Sequence, residues 1–227
     1  EDLLKRIPDS AHAAEVRLAV ARTHELQRNW PEAVRAYEGW LTAFPTNAER
    51  QRAEYALAFA SYHADDETNA LTRFTNFVAL YGTNALAPQA QWWVADYHLR
   101  RGEGVEAEKN YQLLFQTWSN SPLAFEARMM AGRTAMKRQG WASAMDYFTN
   151  LTSNPNCPDN LKVQAIFAYG DALRRADSAE TNNPANLEEA IKVFRKVHDL
   201  NATNAAAARA WGEIADCYFQ LAAQDSN

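Results

Sequence analysis

The sequence predicts an all-α fold, a solenoid of antiparallel helix pairs, and three observations predict it. The first is a fixed period: Ser10, Asn47, Asn84, Ser121, Asp159 and Asn204 each favour a helix start, at steps of 37, 37, 37, 38 and 45 residues. The second is a phased set of small residues, Ala21, Ala58, Ala95, Gly132, Gly170 and Ala215, each eleven residues after its cap. The third pairs Ala33, Ala70, Ala107, Ala144 and Ala190 with Tyr37, Phe74, Tyr111, Phe148 and Phe194, four residues on. Four residues is one helical turn, so each pair lies on one face of a second helix.

The elements follow in order. First helices are expected at about 10–27, 47–63, 84–101, 121–138 and 159–176, each opened by a cap whose side-chain oxygen takes a free backbone N–H. Second helices are expected at about 31–43, 67–80, 104–118, 141–152 and 186–199, after turns such as Asp65-Asp66-Glu67 and Gly102-Glu103-Gly104. Trp40, Phe77, Leu114, Leu151 and Val197 extend the apolar stripe of these second helices. A sixth first helix is expected at about 204–223. The repeats then run 10–46, 47–83, 84–120, 121–158 and 159–203 within one domain of residues 1–227, with a partial sixth at 204–227. Pro8 lies 37 residues before Pro45, so residues 1–9 read as the end of a preceding repeat, and both ends look cut from a longer array or end in partial helices that act as caps. Residues 177–185, Asp-Ser-Ala-Glu-Thr-Asn-Asn-Pro-Ala, interrupt the period and read as a surface insertion.

Composition narrows function. The chain is rich in alanine, which favours closely packed helices, and has only eight glycines and eight prolines in 227 residues. The net charge of -5 is the wrong sign for nucleic acid, and Arg100-Arg101, Lys137-Arg138 and Arg174-Arg175 sit where helix dipoles favour cations. No apolar run of about 18 residues exists to span a membrane. The chain opens Glu1-Asp2-Leu3-Leu4, without a methionine or a signal-type segment, so any targeting sequence is expected to lie outside it. Cys157 and Cys217, in different repeats, make neither a metal site nor an expected bridge, and the five histidines are scattered. No Gly-rich phosphate loop, nucleophile elbow or metal-binding histidine pair is present, so the chain reads as a non-enzyme without cofactor or metal. His24 and His98, at matching places in their repeats, read as packing residues.

The phased small residues, the aromatic one turn into each second helix and the closing Pro45 resemble the tetratricopeptide repeat (TPR) family over essentially the whole chain. That resemblance implies a right-handed superhelix that holds segments of partner proteins along its first helices. Departures are a 37-residue repeat against the common 34, and Arg17, Glu54, Gln91 and Arg128 where the family carries a first-helix tryptophan. The long repeat and the Phe44-Pro45-Thr46-Asn47 turn are similar to bacterial cell-envelope members, such as outer-membrane assembly lipoproteins and the TolA-binding protein. A periplasmic or envelope location follows from that likeness, with the cytoplasm as the alternative.

Phase also selects a candidate face. The residue after each small crossing position, with its neighbours four before and three after, shares one side of a first helix. This yields Arg22; Tyr55, Phe59 and Tyr62; Trp92 and Asp96; Met129 and Arg133; and Phe167, Asp171 and Arg174, together with Leu18, Glu25, Leu99, Met136, Gly212, Asp216 and Phe219. Aromatic and arginine anchors framed by polar groups suit a protein or peptide partner. The competing account makes the aromatics fillers between first helices and pairs the charges across them, Asp96 with Arg133 for instance. A glycan- or peptidoglycan-binding arm of an envelope enzyme, and a structural segment with no ligand, are the alternative functions.

Overall fold

A computed structural model describes residues 12–180, 184–197, 200 and 204–225. Among them are eleven α-helices and no strand: α1 Ala13–Leu26, α2 Trp30–Ala43, α3 Arg50–His63, α4 Glu67–Leu80, α5 Ala87–Arg100, α6 Gly104–Thr117, α7 Ala124–Lys137, α8 Trp141–Ser153, α9 Asp159–Glu180, α10 Pro184–Arg195 and α11 Asn204–Asp225. The all-α repeat expected from the period is therefore present, element for element. The reading of residues 1–9 lies outside the described residues.

Two compact units make up the chain, residues 1–94 and 95–227. In the first, α1 packs on α2, α2 on α3 and α3 on α4. In the second, successive helices from α6 to α11 pack in the same way, and the first helices α7, α9 and α11 also touch their neighbours of the same kind. That mix of next-neighbour and next-but-one contact is how a repeat without a globular core buries its apolar faces.

The small crossing residues do what their spacing implies. Ala21, Ala58 and Ala95 are fully buried, as are Ala33, Ala70, Ala107, Ala144 and Ala190 on the second helices. Gly132 and Gly170 allow the closest approach: a Cβ at Gly132 would stand 2.4 Å from Cε1 of Phe148, and one at Gly170 2.2 Å from Cζ of Phe194. Ala215 departs from the series and is exposed. The helix α11 buries Ala210, Ile214 and Cys217 instead, the side turned to α10, and its crossing face lies exposed. Trp211, Ala215 and Tyr218 on that face have the spacing of the family's first-helix signature Trp-x2-Leu-Gly-x2-Tyr.

The caps act one step earlier than the sequence suggests. Asn47, Asn84 and Ser121 accept the backbone N–H two residues on, from Glu49 at 2.9 Å, Leu86 at 2.8 Å and Leu123 at 3.2 Å. Their own carbonyls take the N–H of the third residue, closing a turn before the helix. The regular ladder therefore starts at Arg50, Ala87 and Ala124 rather than at the caps, whose short polar side chains hold the turn.

At the other end of each first helix a further 37-residue series emerges. Arg28, Asp65, Gly102 and Gln139 all have positive φ, between 58° and 75°. The N–H of the next residue, as in Asn29 to His24 and Asp66 to Ser61, reaches back to close the helix end. Gly102 has the residue type that announces a left-handed backbone and Asp65 one that tolerates it, while Arg28 and Gln139 were hidden in the sequence. The turn reading of the insertion is corrected too, though the interruption of the period remains: residues 177–180 continue α9 and 184–185 open α10 with Pro184 in the first turn, where its missing N–H costs little. Residues 181–183 lie outside the described residues.

One buried polar group stands out in the second unit. Glu108 is 7% exposed and accepts from Arg138 Nε at 2.6 Å and from the Tyr147 hydroxyl at 3.1 Å. Burial, reinforced by the Glu108 charge and hydrogen bond, pushes the Tyr147 phenol up to about 12. Burial likewise raises the Tyr37 and Tyr111 phenols. An unfolded tyrosine titrates near pH ~10, so above that value the unfolded chain gives up its proton first. The contribution of Tyr147 to stability is full below about pH 10 and falls as pH climbs toward 12. Urea midpoints measured from pH 8 to 11.5 should drop over the upper part of that range, and Tyr147→Phe should remove part of the slope.

Candidate functional site

The first unit holds a valley between α1 and α3. Its main basin is a cavity of about 430 Å³. Leu18 comes from α1; Ala53, Tyr55, Ala56 and Phe59 come from α3. Ala53 and Ala56 explain the opening, since two alanines on the α3 wall leave space that larger side chains would fill. A cavity of this size, apolar with a few polar groups, is in the usual range of binding sites.

The polar rim is set by Arg22, Glu25, Tyr37 and Arg52. Tyr37 donates its hydroxyl to Glu25 at 2.5 Å. Arg22 donates to Glu49 at 3.0 Å, while Arg52 lies 3.9 Å from the same carboxylate. A second basin of about 300 Å³ shares Leu18, Arg22 and Arg52 and continues toward Ala14, Trp40 and Asn47. The Arg22–Glu49 pair thus stands between two basins of one valley.

The aromatics expected on this face prove to be held by other rings. Tyr55 lies edge-on to Phe74 and Phe77, at 5.6 Å each. Phe59 packs edge-on against His63 at 4.4 Å and Trp30 at 6.1 Å, and Trp30 stacks on His63 at 4.5 Å. Tyr62 sits 5.3 Å from Trp93. Tyr55, Phe59, Tyr62 and Trp92 are all half-buried, so each splits its surface between packing and the outside. Arg22, Tyr55 and Phe59 come together in one site. Sequence phase missed Arg52, which lies on the first helix α3 one turn before Tyr55 and outside the three positions taken from it, and Tyr37, which comes from a second helix that a stripe drawn on first helices cannot find.

In the second unit the candidate residues meet a different fate. Met129 is 2% and Phe167 9% exposed, so both are packing residues and leave the candidate surface. Phe167 lies 6.0 Å from Phe194 and under the Arg209 guanidinium at 4.2 Å. Asp96 does not pair with Arg133. It accepts from Arg100 at 3.0 Å on its own helix, because one turn along α5 is a shorter reach than the gap to α7. Asp171 likewise pairs with Arg175 at 3.1 Å. The arginines do bridge between first helices, but to other groups: Arg133 to Gln164 at 3.0 Å, and Arg174 to Glu213, with Asp216 at 4.0 Å. With Arg22 and Glu49 these form a set of latches between consecutive repeats. His24 is half-buried, and His98 approaches Glu103 at 2.6 Å, beside the Tyr97 ring. Cys157 and Cys217 are both buried and free.

No described helix is long and apolar enough to cross a membrane. Comparison with protein-family models and with curated proteins returns no match. Solved structures are similar in fold. A putative kinesin light chain from Podosopora anserina with nearly identical TPR-like repeats superposes with a TM-score of 0.54 at 12% identity, covering 85% of this chain and 96% of that one. The MamA protein gives 0.56 at 14% identity over 86% and 98%. A tetratricopeptide repeat protein from Parabacteroides merdae gives 0.54 at 13% identity over 92% and 80%. The fold is thus TPR-like, an α-helical solenoid of repeated helix pairs.

Proposed function

We propose that the chain is a non-catalytic protein-interaction scaffold that holds a segment of a partner protein in the valley between α1 and α3. The observation that carries this reading is the cavity of about 430 Å³, apolar on its floor and bordered by two arginines and half-buried aromatics. Such a make-up, with few charges at the centre and Arg, Tyr and Phe around it, is that of an interface hot spot. The TPR-like fold supports it, because stacked helix pairs present long first-helix faces for binding. The 37-residue repeat and its Phe44-Pro45-Thr46-Asn47 turn support a place in a cell-envelope complex; fractionation of the source cells, with the chain recovered from cytosol alone, would count against that place.

The test fills the valley without deleting any packing. Ala56→Phe puts a ring into the cavity from its α3 wall. Affinity capture from the source, followed by titration with the purified partner, should show binding weakened by about 30-fold or more, as expected for loss of a hot spot of ~2 kcal/mol. Helical content and melting temperature should stay near those of the parent. Undiminished binding by a folded Ala56→Phe variant would place the partner elsewhere.

A further inference from the structure

The valley also says which kind of segment suits it. This inference rests on the valley being the binding site. We infer that the occupant is a peptide segment that joins a bulky apolar residue to a nearby acidic one, with the apolar side chain in the cavity and the carboxylate against Arg52.

The apolar half follows from the floor. Leu18, Ala53, Ala56 and Phe59 offer no hydrogen-bond donor or acceptor from their side chains. Beside them the Tyr55 hydroxyl is the one polar group of the floor, so a polar side chain entering there would lose its water for little in exchange. A leucine- or phenylalanine-sized group fills the space and gains by burial.

The acidic half follows from how the four polar groups of the rim are engaged. Glu25 accepts from Tyr37, so that acceptor and that donor are matched to each other. Arg22 is hydrogen-bonded to Glu49. Arg52 reaches Glu49, a carboxylate already engaged by Arg22, at no closer than 3.9 Å, and its side chain is 66% exposed. Two guanidinium groups therefore share one carboxylate, and Arg52 has the largest unmet capacity to donate. Its planar fork suits a carboxylate in a bidentate pair. A cationic group would meet two arginines at the mouth of the cavity, and the two carboxylates nearby, Glu25 and Glu49, are already engaged by Tyr37 and Arg22.

Capped octapeptides of Ser, Gly and Ala carrying one Leu and one Glu, at separations of one to three residues, are the probes. Controls replace Glu with Gln or Lys, or Leu with Ala. Titration is followed by methyl NMR shifts of Ala53 and Ala56. At least one Glu–Leu spacing should bind about threefold to tenfold more tightly than its Lys–Leu counterpart, the range for a partly exposed charge pair at an interface rim. Arg52→Gln should abolish the preference for Glu over Gln while leaving the need for Leu. Glu49→Gln, which removes the competing carboxylate, should tighten the Glu–Leu peptides; a merely structural Glu49 would not do so. Equal or tighter binding of the Lys–Leu peptides, or no shift with any peptide, overturns the inference. Partner binding that is sensitive to Ala56→Phe, together with peptides that show no charge preference, would overturn this inference alone and leave the scaffold reading in place.

Discussion

Trp40→Ala is expected to be the most destabilising single change in the first unit, at about 3–5 kcal/mol. Trp40 is 1% exposed and its ring packs 5.6 Å from Phe44. Its indole N–H donates to the Ala14 carbonyl at 2.7 Å, tying the second helix α2 to the start of α1. Truncation therefore opens a cavity and removes a hydrogen bond in a half-buried place. Against a total stability of ~5–15 kcal/mol, a loss of this size is about a fifth of the whole at the least. Urea titration by circular dichroism would measure it. Trp40→Phe keeps a ring but loses the N–H, so it should cost far less, with about 1 kcal/mol from the hydrogen bond. Equal costs for the two variants would mean that the hydrogen bond, not the packing, carries the residue's contribution.

The second large effect has a sign that helix propensity alone gets wrong. Alanine is favoured over glycine inside a helix by about 1 kcal/mol. At Gly132 and Gly170 that preference should be outweighed, because the new methyl would enter the rings of Phe148 and Phe194 at 2.4 and 2.2 Å. Both rings are buried, at 0% and 1% exposure, and have little room to retreat. Overpacking of this kind costs ~1–3 kcal/mol, so a net loss of up to about 2 kcal/mol is expected for each alanine variant. Gly39 is the control. It also lies inside a helix, with nothing within 4 Å of its would-be Cβ, so Gly39→Ala should stabilise. Differential scanning calorimetry on the three variants decides it: if all three raise the melting temperature, the close approach of the two rings is not limiting. Phe148→Leu placed on top of Gly132→Ala should recover part of the loss.

These two cases show why the fold was legible and the site only partly so. Burial repeats with the period, so Ala21, Ala58 and Ala95 could be located by counting. The helix pairs followed. The left-handed residues Arg28 and Gln139 could not be recognised by type, since their side chains do not favour a positive φ. Surface partners do not repeat. Asp96, Asp171 and Arg133 take whichever group is nearest, and that depends on rotamers and on single residues such as Arg100, Arg175 and Gln164. The same helical phase that leaves Tyr55 and Phe59 beside an open valley buries Met129 and Phe167. Beside Tyr55 and Phe59 the α3 wall carries the small Ala53 and Ala56, which leave space open, whereas Phe167 is covered by Phe194 and the Arg209 guanidinium. Phase names a face; only packing decides whether the face is open.

Hydrogen–deuterium exchange on the purified complex with the captured partner tests the scaffold reading most directly. Binding in the valley predicts slowed exchange in Ala13–Leu26 and Arg50–His63, with the side chains of Arg22, Arg52 and Phe59 at the contact. Slowing confined to the second helices Trp30–Ala43 and Glu67–Leu80, or to residues beyond 95, would contradict it.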